Sequence, residues 1–229
     1  MIDDPTHAAR LTTREVRTGS RDGETTRIVV ARRDYATDRP DLWDALTDPE
    51  RIPRWFLPVS GDLEVGGRYQ LEGNAGGVVE ACAEPEAFTV TWEYGPMVSW
   101  LTVRLEPADD GTTLELRHES PVDPDMWDQF GPGAVGIGWD LALLGLGLHL
   151  QTGEAVDPSE GATFTMTDDG RAFVEIAARD WGEAAARDGD DPETAEAAAA
   201  GTIAFYTTPP EPQPDDADPE PSGPDGVEG

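Results

Sequence analysis

Few residues in this sequence are suited to acid–base chemistry, and His118 is the main candidate among them. It shares one face of a predicted strand with Leu114 and Leu116, which points it toward the interior. With Glu80 or Glu93 it could act as a general acid and base of a cyclase or hydrolase, if these side chains meet. The alternative is a hydrogen-bonded core histidine with solvated glutamates. We therefore assign no catalytic set and keep His118, Glu80 and Glu93 as candidates.

The sequence lacks the spacings that hold common metals and cofactors. No two of the three histidines have the HExxH spacing, and a single cysteine, Cys82, cannot build a zinc cluster. There is no GxSxG elbow and no Walker loop, and the glycine-rich run 133–138 lacks the order of a dinucleotide fingerprint. We predict no metal and no cofactor. Cys82 is predicted to be a small buried residue of a strand.

Large apolar side chains form the second set of interest. The chain has seven tryptophans, and a buried tryptophan N–H needs a partner, so this residue suits a pocket with one polar end. The alternative is that these residues fill the core. The candidate ligand-binding residues are Trp55, Phe56, Tyr69, Trp92, Trp100, His118, Trp127, Trp139 and Leu143.

A series of strands followed by one long helix must position these side chains. Alternating apolar residues predict a strand at 27–33 and six more near 59–64, 68–72, 77–83, 87–94, 98–107 and 112–120, separated by turn residues. Two short helices, with Asp38 and Asp48 as N-caps, follow the first strand, and the second helix is expected to end near Phe56. This order predicts an antiparallel sheet packed on a helix.

The last helix of this region, near 134–150, is almost wholly apolar. Its length approaches that of a membrane span, but Asp140 lies in its middle and four glycines interrupt it, so we predict a buried core helix. Glycine is unfavourable in a helix interior, and two explanations stay open. The glycines allow either close packing of the helix or room for a ligand.

Composition divides the chain into four parts. Residues 1–26 are polar and are predicted to be a partly disordered N-terminal segment, in which 11–17 can add a short strand, and 27–150 form the main domain. Residues 151–208 contain two alanine-rich helices, near 171–187 and 192–206, that are expected to pack on that domain. Residues 209–229 are rich in proline and acidic residues and are predicted to be a disordered acidic tail.

The charge balance excludes two classes of partner. A net charge of −31 repels phosphate backbones and anionic lipid headgroups, so we predict no nucleic-acid and no membrane partner. One cysteine permits no intrachain disulfide, and residues 1–10 have no signal-peptide pattern, so a cytoplasmic location is predicted. A protein partner is conceivable but has no support in the sequence.

Several blocks, in order, resemble one known family. The segment 43–56 (WDALTDPERIPRWF) resembles the signature of the SRPBCC superfamily, specifically the branch named after the activator of the heat-shock protein 90 ATPase. The other blocks are 61–69, 76–80 with Pro85 and Thr91-Trp92, 111–118, and Gly138-Trp139 with Leu143-Leu144. The C-terminal helices resemble an extension seen in some actinobacterial members.

The resemblance implies an α+β helix-grip fold, in which a curved antiparallel sheet wraps around a long C-terminal helix, here with two extra helices. Such proteins often keep a hydrophobic cavity between sheet and helix, so the implied function is binding or sequestration of a small apolar molecule. Other members are aromatase/cyclases, self-sacrificing resistance proteins and co-chaperone domains. An enzyme using the same cavity and a protein-interaction module therefore stay open, since fold alone does not choose among them.

Overall fold

A computed structural model describes residues 4–209. The strands of this region are β1 (Thr12–Arg21), β2 (Glu24–Tyr35), β3 (Val59–Gly61), β4 (Arg68–Leu71), β5 (Gly76–Ala83), β6 (Ala87–Tyr94), β7 (Met97–Ala108) and β8 (Gly111–Pro121). The helices are α1 (Pro5–Arg10), α2 (Arg39–Thr47), α3 (Pro124–Phe130), α4 (Gly133–Thr152), α5 (Pro158–Thr163), α6 (Asp168–Asp188) and α7 (Pro192–Thr207). Short 3-10 turns lie at Ile52–Arg54 and Phe164–Met166.

All eight strands form one antiparallel sheet in the order β1-β2-β8-β7-β6-β5-β4-β3. The sheet curves around α4, and the Tyr35 hydroxyl of β2 donates a hydrogen bond to the Leu143 carbonyl of α4 at 2.9 Å. The predicted α+β helix-grip fold is thereby confirmed. The two predicted C-terminal helices correspond to α6 and α7, and the chain also forms the shorter α1, α3 and α5.

The register of the central strands places the predicted inward residues together. Leu101 of β7 lies opposite His118 of β8, and Val103 lies opposite Leu116. All four are buried, because alternate residues of a strand face the same side of the sheet. His118 is therefore placed inside the fold, as its spacing predicted.

Acidic caps start the helices, but one predicted helix does not form. Asp38 accepts a hydrogen bond from the Asp41 N–H at 2.9 Å, at the beginning of α2. Asp48 likewise accepts one from the Glu50 N–H at 2.7 Å. The helix predicted from Asp48 to Phe56 is wrong, since only the 3-10 turn Ile52–Arg54 forms. Pro53 explains this, because it lacks an N–H and its ring clashes with the preceding helical turn.

A buried ion pair joins the N-terminal residues to the core. Residues 12–21 form the edge strand β1, which overlaps the short strand predicted at 11–17 and extends beyond it. Arg14 of β1 donates two hydrogen bonds to Asp140 of α4, at 3.0 and 2.9 Å, and these side chains are 1% and 0% exposed. Trp181 of α6 donates its indole N–H to the same carboxylate at 2.8 Å. Strand β1, α4 and α6 therefore meet around Asp140. The predicted acidic tail, apart from Pro209, lies outside the described residues.

Helix α4 is the one helix of residues 4–209 that is long and apolar enough to cross a membrane by length and composition. Most of it is buried inside the protein: 61% of its most apolar window is covered. The sheet lies on one side of α4, and α6 and α7 lie on the other. The prediction of a buried core helix agrees with this placement.

Two glycines of α4 serve close packing. A Cβ at Gly136 would lie 2.4 Å from Cε2 of the Trp181 ring, and a Cβ at Gly145 would lie 2.8 Å from the Trp55 carbonyl oxygen. Neither glycine lines the cavity described below. Of the two explanations left open by the sequence, close packing applies to both positions.

Candidate ligand-binding cavity

A cavity of about 310 Å³ lies between the inner face of the sheet, α2 and α4. Its wall is almost entirely apolar, and Glu84 is the one charged residue in the described part of the chain that borders it. Strands β6 to β8 contribute Val90, Leu101 and Leu116, while α4 contributes Ala142. The space is thus formed by residues whose inward direction follows from strand alternation and from packing of α4 against the sheet.

Six of the predicted ligand-binding residues line this cavity: Trp55, Phe56, Tyr69, Trp92, Trp139 and Leu143. Four of them form a continuous aromatic row. The ring centroids of Trp55 and Phe56 are 5.4 Å apart, those of Phe56 and Trp139 are 6.3 Å apart, and those of Trp139 and Trp92 are 4.9 Å apart. This row offers flat apolar surfaces on which a ring system can stack.

Two predicted lining residues lie elsewhere, so the sequence prediction is wrong for them. Trp100 follows Ser99 and precedes the inward Leu101, so it faces the other side of the sheet, where Arg21 lies 3.9 Å from its ring centre. Trp127 of α3 donates its indole N–H to Asp190 at 2.8 Å and is covered by Arg27. Both tryptophans anchor charged side chains outside the cavity.

His118 lies behind the cavity wall and is held in one neutral tautomer. Its Nδ1 accepts the indole N–H of Trp139 at 2.9 Å, and an indole N–H can only donate. The proton of the neutral ring is therefore on Nε2, which donates to the Ser99 hydroxyl at 2.7 Å. Ser99 in turn donates to the Trp92 carbonyl at 3.0 Å. Burial lowers the pKa of His118 to about 4, so the ring stays neutral near pH 7.

The three catalytic candidates do not come together. Glu80 is exposed on β5. Glu93 follows the inward Trp92 and points outward, where it accepts a hydrogen bond from Arg68 at 2.6 Å. This hydrogen bond lowers the pKa of the Glu93 carboxyl. Because both ring nitrogens of His118 are already bonded within the protein, His118 has no carboxylate partner and no free nitrogen for proton transfer.

Sequence reasoning missed several residues of the cavity, above all Trp43 of α2 and Glu84. Trp43 packs edge-on against Phe88, with ring centroids 5.9 Å apart, and both residues border the cavity. The sequence pattern could have identified Trp43 as inward-facing, because it shares the apolar face of α2 with Leu42 and Leu46. Cys82 is exposed at the edge of the cavity, so the prediction that it is buried is wrong.

The C-terminal helices do not cover the cavity. None of the described residues after Leu143 borders it. Helix α6 packs instead on α1, β1 and α4, and α7 packs on α3 and α6. The rim is formed by residues that are partly or fully exposed: Leu46, Thr47, Val59, Leu63, Cys82 and Glu84. Access to the cavity therefore lies between α2, the β3–β4 connection and the end of β5.

Comparison with known proteins agrees with this architecture. The family model for "Activator of Hsp90 ATPase homolog 1-like protein" matches residues 36–151, which is half of the chain. The chain belongs to this family. All residues that border the cavity lie inside the matched segment, whereas Arg14 and Trp181 lie outside it. The cavity is thus a feature of the family domain, and the ion-pair cluster joins that domain to the flanking segments.

Solved structures of one protein are similar over most of this chain. The crystal structure of CalU16 from Micromonospora echinospora is 30% identical, covers 76% of this chain and 97% of that chain, and gives a TM-score of 0.60. The solution NMR structure of CalU16 is 29% identical, covers 78% of this chain and 97% of that chain, and gives a TM-score of 0.64. No curated protein matches the sequence. The similarity to CalU16 extends beyond the family segment into the flanking parts of the chain.

Proposed function

We propose that this protein binds a small apolar molecule in the cavity between the sheet and α4. The observation that carries the proposal is the 310 Å³ space with an apolar wall and one charged residue at its rim. Ligand cavities in proteins begin at about this size, roughly 300 Å³. A volume of that order corresponds to roughly ten water molecules, at about 30 Å³ each. An apolar ligand would replace water that the wall cannot hydrogen-bond.

The geometry favours binding over catalysis. His118 and Ser99 are within hydrogen-bond distance, but His118 donates to the serine and therefore cannot take its proton. An aromatase/cyclase-like or hydrolase-like activity would need an acid or base directed into the cavity. Among the described residues Glu84 is the one carboxylate side chain that borders it, at the rim, and the Tyr69 hydroxyl donates to the Thr91 carbonyl at 2.8 Å. Carriage or sequestration of the ligand requires no such group.

Two further expectations accompany this proposal. We propose a cytoplasmic location, supported by the single cysteine of the chain. A role as a protein-interaction module stays a prediction from family resemblance, because no feature of the described residues favours it over ligand binding.

Binding can be measured with N-phenyl-1-naphthylamine, a neutral apolar molecule whose fluorescence rises in apolar surroundings. We expect saturable binding of one probe per chain. Ala142→Trp fills the cavity from α4 and should abolish binding, whereas Val135→Trp, at an exposed position of the same helix, should leave it unchanged. Circular dichroism checks that both variants fold. Absence of saturable binding, or equal binding by Ala142→Trp, would show that the cavity is not the site.

A further inference from the structure

The cavity wall contains four indole groups, and their hydrogen bonding differs. Trp55 donates its N–H to the Ala45 carbonyl at 2.8 Å, and Trp139 donates to His118 at 2.9 Å. For Trp43 and Trp92, no residue within 4–209 accepts a hydrogen bond from the indole N–H. Two donors at the cavity are thus satisfied by the fold, and two are not.

Trp43 is the more informative of the unpaired two. It is 7% exposed and borders the cavity, whereas Trp92 is only partly buried and can reach water. The Trp43 N–H is not sealed inside the fold, because the fully inaccessible polar side-chain atoms without a partner belong to Arg21 and Arg33. The Trp43 ring packs on Phe88, and both residues border the cavity, so an accessible N–H on this ring can meet a molecule held there.

In the absence of a ligand this N–H is accessible to water. An apolar ligand without an acceptor would displace that water and leave the N–H unpaired, which is unfavourable because buried polar groups nearly always have a partner. The position of Trp43 is well fixed: the Asp38 cap starts its helix, and the Phe88 ring packs against its side chain. A fixed donor without an acceptor in the protein is what a specific ligand contact requires.

The charges around the cavity restrict the acceptor. No basic residue within 4–209 borders the space, Glu84 is at its rim, and the chain carries a net charge of −31. A carboxylate or phosphate would lose hydration and meet like charge there. A neutral oxygen, such as a ketone or quinone carbonyl, carries neither penalty and accepts one indole N–H.

We propose that Trp43 is a specificity-determining residue, and that the ligand is an apolar ring system with a neutral carbonyl oxygen that accepts the Trp43 N–H. This inference rests on the proposed function, since it names the ligand class of the same cavity. The aromatic row from Trp55 to Trp92 contacts the rings, and Trp43 orients the carbonyl.

A matched pair of probes tests the proposal: 9-fluorenone and fluorene share a three-ring frame and differ in one carbonyl. Both are titrated against bound N-phenyl-1-naphthylamine. Area burial alone favours fluorene, which is the more hydrophobic. We expect the wild type to prefer fluorenone instead. Trp43→Phe, which keeps an aromatic ring but removes the N–H, should weaken fluorenone binding about tenfold, as expected for one neutral hydrogen bond. Fluorene affinity should stay within about twofold.

Trp100→Phe is the matched control, because Trp100 lies on the other face of the sheet beneath Arg21. It should leave both affinities unchanged. A second readout avoids dependence on the stability of the variant: in ¹⁵N–¹H spectra of the wild type, fluorenone should shift the Trp43 indole resonance more than fluorene does. That resonance is assigned as the one missing in Trp43→Phe.

Equal binding of the two probes, or an unchanged preference in Trp43→Phe, would overturn the role of Trp43 and leave the proposed function intact. Failure of both probes to displace bound N-phenyl-1-naphthylamine would overturn the ligand class. The proposed function itself fails only if N-phenyl-1-naphthylamine does not bind in the cavity, so the two results are distinguishable.

Discussion

Replacing Gly136 by alanine should destabilise the protein, although alanine is the better helix former. The new methyl group would lie 2.4 Å from the Trp181 ring, and ordinary carbon–carbon contacts are about 3.5–4.0 Å. Trp181 cannot easily move away, because it is 1% exposed and its indole N–H is bonded to Asp140 at 2.8 Å. The substitution therefore forces either α4 or α6 to shift.

The expected magnitude follows from two opposing effects. Alanine gains about 1 kcal/mol over glycine in a helix interior, whereas overpacking costs about 1–3 kcal/mol. A stretched hydrogen bond from Trp181 to the Asp140 carboxylate adds a further cost of about 1.5–3 kcal/mol if it is lost. We expect a net loss of about 2 kcal/mol in the free energy of unfolding, which corresponds to roughly 4–8 °C in Tm for a chain of this size.

Gly138→Ala is a matched control two residues further along α4. Its methyl group would lie 3.6 Å from the Tyr206 hydroxyl, which is ordinary contact distance, and the position is exposed. At this position the higher helix propensity of alanine is not opposed by a steric clash, so the variant should be about 1 kcal/mol more stable than the wild type. Urea unfolding followed by circular dichroism measures both changes. If Gly136→Ala proves as stable as Gly138→Ala, the close packing of Trp181 on α4 is not rigid and our reasoning is wrong.

Three more predictions follow from other parts of the structure. Asp140→Asn removes the buried carboxylate from Arg14, which keeps the partly exposed Asp180 at 3.0 Å, and should lower the free energy of unfolding by about 1.5–3 kcal/mol, whereas Arg17→Met at the surface should change it by less than about 1 kcal/mol in urea titrations. The pKa of His118 is about 4 in the folded protein, so the stabilisation from its neutral form is complete above pH 6.5 and is lost as the pH falls toward 4. This effect amounts to about 3 kcal/mol and should be absent from the pH dependence of unfolding in His118→Gln. Cys82 borders the cavity and is exposed, so bound N-phenyl-1-naphthylamine should slow its alkylation by N-ethylmaleimide; an unchanged rate by mass spectrometry would place the probe elsewhere.

Much of the fold could be predicted because local patterns and tertiary packing agree. Inward alternation in β7 and β8 gave the correct faces for Leu101, Val103 and His118, and the Asp38 cap gave the start of α2. Strand β1 could be predicted only as a short strand near 11–17, and neither its full length nor its anchoring could be. Its residues are mostly polar, and it is an edge strand whose main anchor, Arg14, is a charged residue that the sequence pattern assigns to the surface. Its burial depends on partners that include Asp140, 126 positions away, and Asp180.

The candidate site was predictable to the extent that residue type and strand alternation determine it. Six of the predicted residues, aromatic and aliphatic, border the cavity, whereas Trp100 and Trp127 lie outside it. Both are large apolar residues whose rings are covered by arginines rather than by the core, and residue type alone cannot distinguish these environments. The neutral tautomer of His118 could not be predicted either, since it depends on Trp139 and Ser99 from two other elements.

Helix α4 links these observations. A helix that is apolar on one side packs on one partner, whereas a helix that is apolar all round needs cover on every side. The sheet alone could not bury all of α4, so its composition already required a second layer, which α6 and α7 supply. Helix α6 contacts the side of α4 that carries Gly136 and Asp140. The cavity therefore borders another side of α4, which carries Trp139, Ala142 and Leu143. Helices α6 and α7 therefore stabilise α4 on the side that does not border the cavity. Mutations in their contacts with α4 should change the stability of the protein without changing ligand binding.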